Sequence, residues 1–146
     1  MEMLFATSQS WAIAVVRVVL GVIFFAHGSQ KVLGWFGGYG LKGTTKYFVS
    51  TGLPRPLAYL VCFFEFLGGL GLFFGFLTRL AALAVGIVMM GAIARVHWSN
   101  GFFINWENTP GKGHGLEATL AYLAMAIACL IAGGGALSLD GLIVSL

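Results

Sequence analysis

Long apolar runs alternate with short polar stretches along this chain, and the runs have the length of helices rather than strands. Four stand out, at about 10–29, 57–77, 79–97 and 116–136. Each holds roughly 20 residues, which a helix rising about 1.5 Å per residue needs to cross a hydrocarbon core. The pattern predicts an all-α fold, a four-transmembrane-helix bundle forming a single domain over residues 1–146. Pro54 and Pro56 suit the approach to the second helix. Only Thr78 and Arg79 separate the second and third runs, which predicts a tight antiparallel hairpin. Small residues recur at four-residue spacing at Gly71 and Gly75, at Ala82 and Gly86, and at Ala124, Ala128 and Ala132. In lipid such faces let helices approach closely, so these are the expected packing faces.

The two longer loops, 31–55 and 98–115, fall on one membrane side, and the first has room for a short interfacial helix at 41–51. Trp35, Phe36, Tyr39, Trp98, Phe102, Phe103 and Trp106 gather there, as an aromatic belt at the membrane surface would. Lys31, Lys42, Lys46, Arg55 and Lys112 fall on the same side, so the positive-inside rule places both loops in the cytoplasm. Composition agrees with the pattern. The chain is 59% hydrophobic and 9% charged, against about 25% charged in soluble domains, and its mean hydropathy is +0.94. These values describe an integral membrane protein with membrane lipid as a partner. The net charge of +3 arises from few charges, without the Lys/Arg cluster that nucleic-acid binding requires. Met1-Glu2-Met3 lacks a basic leader, so the first run is expected to remain as a span.

Against this background a few ionisable residues are out of place. Apart from Glu65, residues 60–76 are apolar, Gly or Cys. Arg17 interrupts the first run and His27 lies near its end. Arg95, His97 and Glu117 sit at the ends of later runs. A charge inside the membrane costs roughly 2.5–3.5 kcal/mol on insertion scales unless it finds a partner or a watery cavity. Measured from the long-loop side, Glu117 and His97 lie near the entrance, Glu65 about 12 Å deep and Arg17 about 20 Å deep. The groups are thus expected to line one half of the bundle. Arg17 is within reach of Glu65 as a pairing partner, His27 and Lys31 share a helical face, and Glu117 is expected opposite either of them. A buried Arg17–Glu65 pair that only fixes helix register accounts for two of these residues without any site. Helix-dipole stabilisation does the same for Glu117.

Several motifs lead nowhere. Residues 38–43 match GxGxxG by spacing, but no strand precedes them and no βαβ unit follows. His27, His97 and His114 with Glu107 or Glu117 lack metal-site spacing, so no metal is expected. Cys62 and Cys129 differ in depth by roughly a dozen ångströms, beyond disulfide reach.

The stretch from Arg17 through His27 to Lys31, continued by Gly34-Trp35-Phe36-Gly37-Gly38, resembles the opening of the DoxX family. Glu65-Phe66-Leu67-Gly68-Gly69 with Gly71, Gly75 and Thr78-Arg79 resembles its second span. Gly115-Leu116-Glu117 and the stretch from Gly133 to Asp140 resemble its end. The family's closing motif often carries a Pro, which Gly133-Gly134-Gly135 lacks. The resemblance covers nearly the whole chain. It implies a four-helix protein of the bacterial plasma membrane. It also implies kinship with DoxD-type subunits of a thiosulfate:quinone oxidoreductase and with membrane oxidoreductase complexes of oxidative and thiol stress. The positions it carries over are Arg17, His27, Lys31, Glu65, His97 and Glu117.

Two functions are compatible with these residues. In the first, the chain is a quinone-linked oxidoreductase component. His27, Glu65 and Glu117 supply or take the protons of quinone reduction, while Arg17, Lys31 and His97 hold the head group. No flavin, haem or iron–sulfur signature is present, so electrons come from a redox partner protein or a bound reductant. In the second, the chain is a non-enzymatic binding or assembly subunit, or a small-solute carrier. Homo- and hetero-oligomers are both compatible with the sequence.

Overall fold

The computed structural model describes residues 2–145. Its helices are α1 (Glu2–Phe5), α2 (Trp11–Val32), α3 (Gly40–Ser50), α4 (Arg55–Phe74), α5 (Thr78–Ala92), α6 (Glu117–Ala132) and α7 (Leu139–Val144). No strand occurs among the described residues. Three helical stretches are long and apolar enough to cross a membrane, namely Trp11–Val32, Arg55–Phe74 and Thr78–Asn100. Glu117–Ala132 is a shorter apolar helix. The chain is therefore a helical membrane bundle.

Local chemistry sets the helix ends. Ser10 caps α2, its hydroxyl accepting from the Ile13 amide at 3.4 Å. Gly75 closes α4 in the left-handed conformation, with the Phe76 amide on Gly71 O and the Gly75 amide on Leu72 O, the pattern of a Schellman motif. The hairpin turn is thus Gly75–Leu77. Thr78 and Arg79 already belong to α5, so the turn comes about one helical turn earlier than the run boundaries suggest, because the glycine stops α4 early. The fourth helix is also shorter than expected. It ends at Ala132, and residues 133–138 run irregularly against the N-terminal segment, with Ala136 N on Ser10 O and Gly135 N on Thr7 Oγ1.

The tightest packing is between α2 and α4. A side chain at Gly28 would strike the Phe66 backbone, and one at Gly69 the Phe25 backbone. These two glycines let the helix backbones touch, which no spacing rule had singled out. Of the expected small-residue faces, Gly86 does meet Ala126 and Leu123 across α5 and α6, and Gly71 meets Ala81. The Ala124 ladder does not form a packing face. Ala124 is exposed, and α6 instead buries Thr119, Ala126 and Cys129. Leu20, Phe24, Leu72, Val85, Ala126 and Cys129 make up the centre of the core. The Phe24 ring meets Tyr122 edge-on at 6.0 Å.

The interfacial helix predicted at 41–51 forms as α3. It packs on α2 and α4 at the long-loop end, burying Thr44 and Thr45. A π-helical turn, Ile93–His97, extends α5 on that same side.

Candidate functional site

Three polar clusters stand out along the bundle among the described residues. The first is a buried ion pair. Lys31, in the last turn of α2, reaches back to Glu65 in the middle of α4, Nζ against Oε2. The close approach at Gly28 brings the α2 backbone against the Glu65–Phe66 peptide, so the lysine stem needs only one turn to reach the carboxylate. The Glu65 side chain is 7% exposed and that of Lys31 20%. His27 lies one turn before Lys31 on α2, is exposed, and is near enough to interact with both charges.

The second place is at the opposite end. Arg17 is 1% exposed and its guanidinium is spent on backbone carbonyls. Nε donates to Gly134 O at 2.6 Å, Nη1 to Leu72 O at 2.6 Å and Phe73 O at 2.7 Å, and Nη2 to Leu137 O at 3.2 Å. Asp140 of α7, equally buried, accepts from the Leu77 and Thr78 amides at 2.7 and 2.8 Å. A cation thus meets the carbonyl end of α4 and an anion meets the amide end of α5, each matching the sign of the helix terminus.

The expected Arg17–Glu65 pair therefore does not form. The carbonyls freed where α4 ends need donors, and the five N–H groups of Arg17 satisfy them, while Glu65 is taken by Lys31. Nor do the ionisable groups share one half of the bundle, because Arg17 lies at the far end from the long loops, bonded to the Leu72, Phe73, Gly134 and Leu137 carbonyls.

The third place is the second long loop. The ring of His97 meets His114 O through Nδ1 at 2.8 Å. Asn105 is buried and holds the loop together, donating to Thr109 O and Lys112 O and accepting from the Thr109 amide. Glu117 accepts from the Ile104 amide at 3.1 Å. Among the described residues Glu117 forms no ion pair with His27 or Lys31 across the bundle. It ties the loop to the start of α6, where a carboxylate also suits the helix dipole.

Two of the surface grooves among the described residues stand out. One, of about 570 Å³, is apolar and runs between α4 and α5 past Leu67, Gly71 and Ala84. The other, of about 580 Å³, lies beside α7. Neither includes His27, Lys31 or Glu65. Among the described residues no group of three or more His, Cys, Asp and Glu is placed to hold a metal.

The Lys31–Glu65 pair with His27 is thus the candidate site. It offers an ammonium donor, a carboxylate acceptor and an exposed imidazole that does either. Such a set can hold a carbonyl- or hydroxyl-bearing head group and exchange protons with it. All three residues stand out in the sequence, and His27 and Lys31 share a face as expected, but the partner of Glu65 is Lys31 and not Arg17. Asp140 is not among the expected site residues, because it lies outside the apolar runs; its signals are its place at the end of the family-like closing stretch and scarcity, as one of five acidic residues.

Comparison with known proteins follows the same lines. The DoxX family profile matches residues 12–98. A Bacillus subtilis (strain 168) protein named "Putative oxidoreductase CatD" is 37% identical over 91 residues, covering 62% of this chain and 63% of that protein. An Escherichia coli (strain K12) protein named "Inner membrane protein YqjF" is 32% identical over 132 residues, covering 90% of this chain and 91% of that one. No solved structure matches the chain.

Proposed function

Since the chain belongs to the DoxX family, we propose that it is a component of a quinone-linked oxidoreductase of the bacterial inner membrane. The observation that carries this reading is the buried Lys31–Glu65 pair with an exposed histidine one turn away. The printed names of the relatives, an oxidoreductase and an inner membrane protein, support the redox and membrane parts. A quinone would take two electrons from a redox partner and two protons to give the quinol. Lys31 would donate a hydrogen bond to one carbonyl oxygen, with its ammonium kept in place by Glu65. His27 would hand over the two protons in turn at the exposed side of α2, recovering each from the nearby boundary. In this reading Arg17 and Glu117, both hydrogen-bonded to backbone groups, take no part in the step.

The test is binding first and turnover second. Protein in nanodiscs should carry a co-extracted quinone and bind a short-chain quinone. Glu65→Gln and His27→Ala should weaken that binding at least about tenfold, or 1.4 kcal/mol, while circular dichroism stays unchanged. Wild-type protein that neither carries nor binds a quinone would sink the proposal. A second reading rests on the ion pair being satisfied by its own partners: the chain is then a non-catalytic assembly subunit or small-solute carrier. Copurification with a soluble redox enzyme, with no quinone bound, would favour it.

A further inference from the structure

The basic residues of the long-loop end outnumber the acids that might pair with them. Lys42 and Lys46 of α3, Arg55 at the start of α4 and Arg95 in the π-helical turn are all exposed. Asp and Glu are absent from residues 32–64 and again from 66–106. The one acid between those stretches, Glu65, is taken by Lys31, and no other ion pair forms among the described residues. Glu107 and Glu117 lie beyond, and Glu117 is bound to the Ile104 amide.

The fold gathers these cations instead of scattering them. Lys42 and Lys46 are four apart, on one face of α3, where like charges destabilise a helix unless something neutralises them. The guanidinium of Arg95 comes up against Gly52 in the turn from α3 to α4, three residues before Arg55. A basic band therefore runs along α3 and across its turn to the end of α5. Exposed rings flank it. Tyr39 lies against Gly43, and Trp35, Phe36, Tyr47 and Trp98 face outward at the same end. Tyr and Trp with Lys and Arg at one level of a membrane helix bundle mark the headgroup layer.

We propose that this band is a binding surface for anionic phospholipid headgroups, with Lys42, Lys46, Arg55 and Arg95 as the phosphodiester ligands. The counter-charge that the chain withholds from its own surface is supplied by the leaflet. The site is independent of the quinone reading, since it uses none of His27, Lys31 or Glu65.

The experiment compares the intact protein in nanodiscs of pure phosphatidylcholine with nanodiscs containing phosphatidylglycerol, reading thermal midpoint and lipids retained in native mass spectrometry. Phosphatidylglycerol should raise the midpoint and remain bound in preference to phosphatidylcholine, and high salt should weaken both effects. Each Lys→Gln or Arg→Gln change in the band should weaken retention about fivefold. The fourfold Gln variant should lose the preference, and Lys42→Arg/Lys46→Arg should keep it. Lys112→Gln, on the other loop, should leave it unchanged. The proposal falls if wild-type protein shows no lipid preference or if the fourfold variant keeps it. It falls also if inorganic phosphate added to pure phosphatidylcholine discs stabilises the protein as well as phosphatidylglycerol does.

Discussion

Replacing Lys31 should cost more stability than replacing Glu65, although the two form one ion pair. The difference lies in where each residue goes when abandoned. Lys31 is in the last turn of α2, its side chain 20% exposed. Without its partner it turns back along its own stem to the membrane boundary. Glu65 is ten residues into α4 and its side chain is 7% exposed, so it has no such exit. Lys31→Met therefore strands a carboxylate, at a cost of about 3 kcal/mol, the lower end for breaking a buried pair. Glu65→Gln leaves a neutral group of the same shape and a cation that escapes, at about 1 kcal/mol. The double variant Lys31→Met/Glu65→Gln removes both charges and should lie within about 1 kcal/mol of wild type, giving a coupling of about 3 kcal/mol. Unfolding free energies from SDS titration in mixed micelles, followed by circular dichroism, measure all four. If Glu65→Gln costs as much as Lys31→Met, or if the double variant loses the full sum, the account of the pair is wrong.

Asp140→Ala should destabilise by about 3 kcal/mol, because one buried and one half-buried amide lose a charged acceptor at once, and Asp140→Asn by clearly less, both read in the same titration. Gly69→Leu should prevent the normal fold, since its side chain would occupy the Phe25 backbone; a monodisperse, thermally stable product by size-exclusion chromatography would contradict this. Asn105→Ala should leave the helices intact and open the second long loop to protease within 98–116, because three loop hydrogen bonds end on that side chain. Unchanged cleavage kinetics would show that the loop is held otherwise.

The bundle was legible in the sequence because length and hydropathy alone decide which segments cross a lipid core. The candidate site was legible in part. Scarcity of charge inside the apolar runs pointed to Glu65 and His27, and Lys31 followed from the helical face it shares with His27. The partners were not legible. Sequence spacing put Arg17 near Glu65 in depth, but it carries no information on backbone carbonyls, and those are what Arg17 found. The hairpin was misplaced by one turn for a related reason: Thr78 and Arg79 are the polar residues, yet Gly75 is where the backbone turns. Gly28 and Gly69 were hidden among 22 glycines, since a close approach of two helices is a property of both chains at once.

The hairpin clamp also has a history in time. Arg17 enters the membrane with the first long helix, but its four carbonyl partners do not arrive together. Leu72 and Phe73 come with α4, whereas Gly134 and Leu137 come only after α6 has been made. Asp140 comes later still, so the turn between α4 and α5 waits on the end of the chain for its anion. During synthesis the half-made bundle therefore holds a cation with half its bonds and a turn with two open amides. A chain stopped after Ala132 would contain every long helix and still be unlatched, a state that pulse proteolysis of nascent chains would reveal as one late gain in protection.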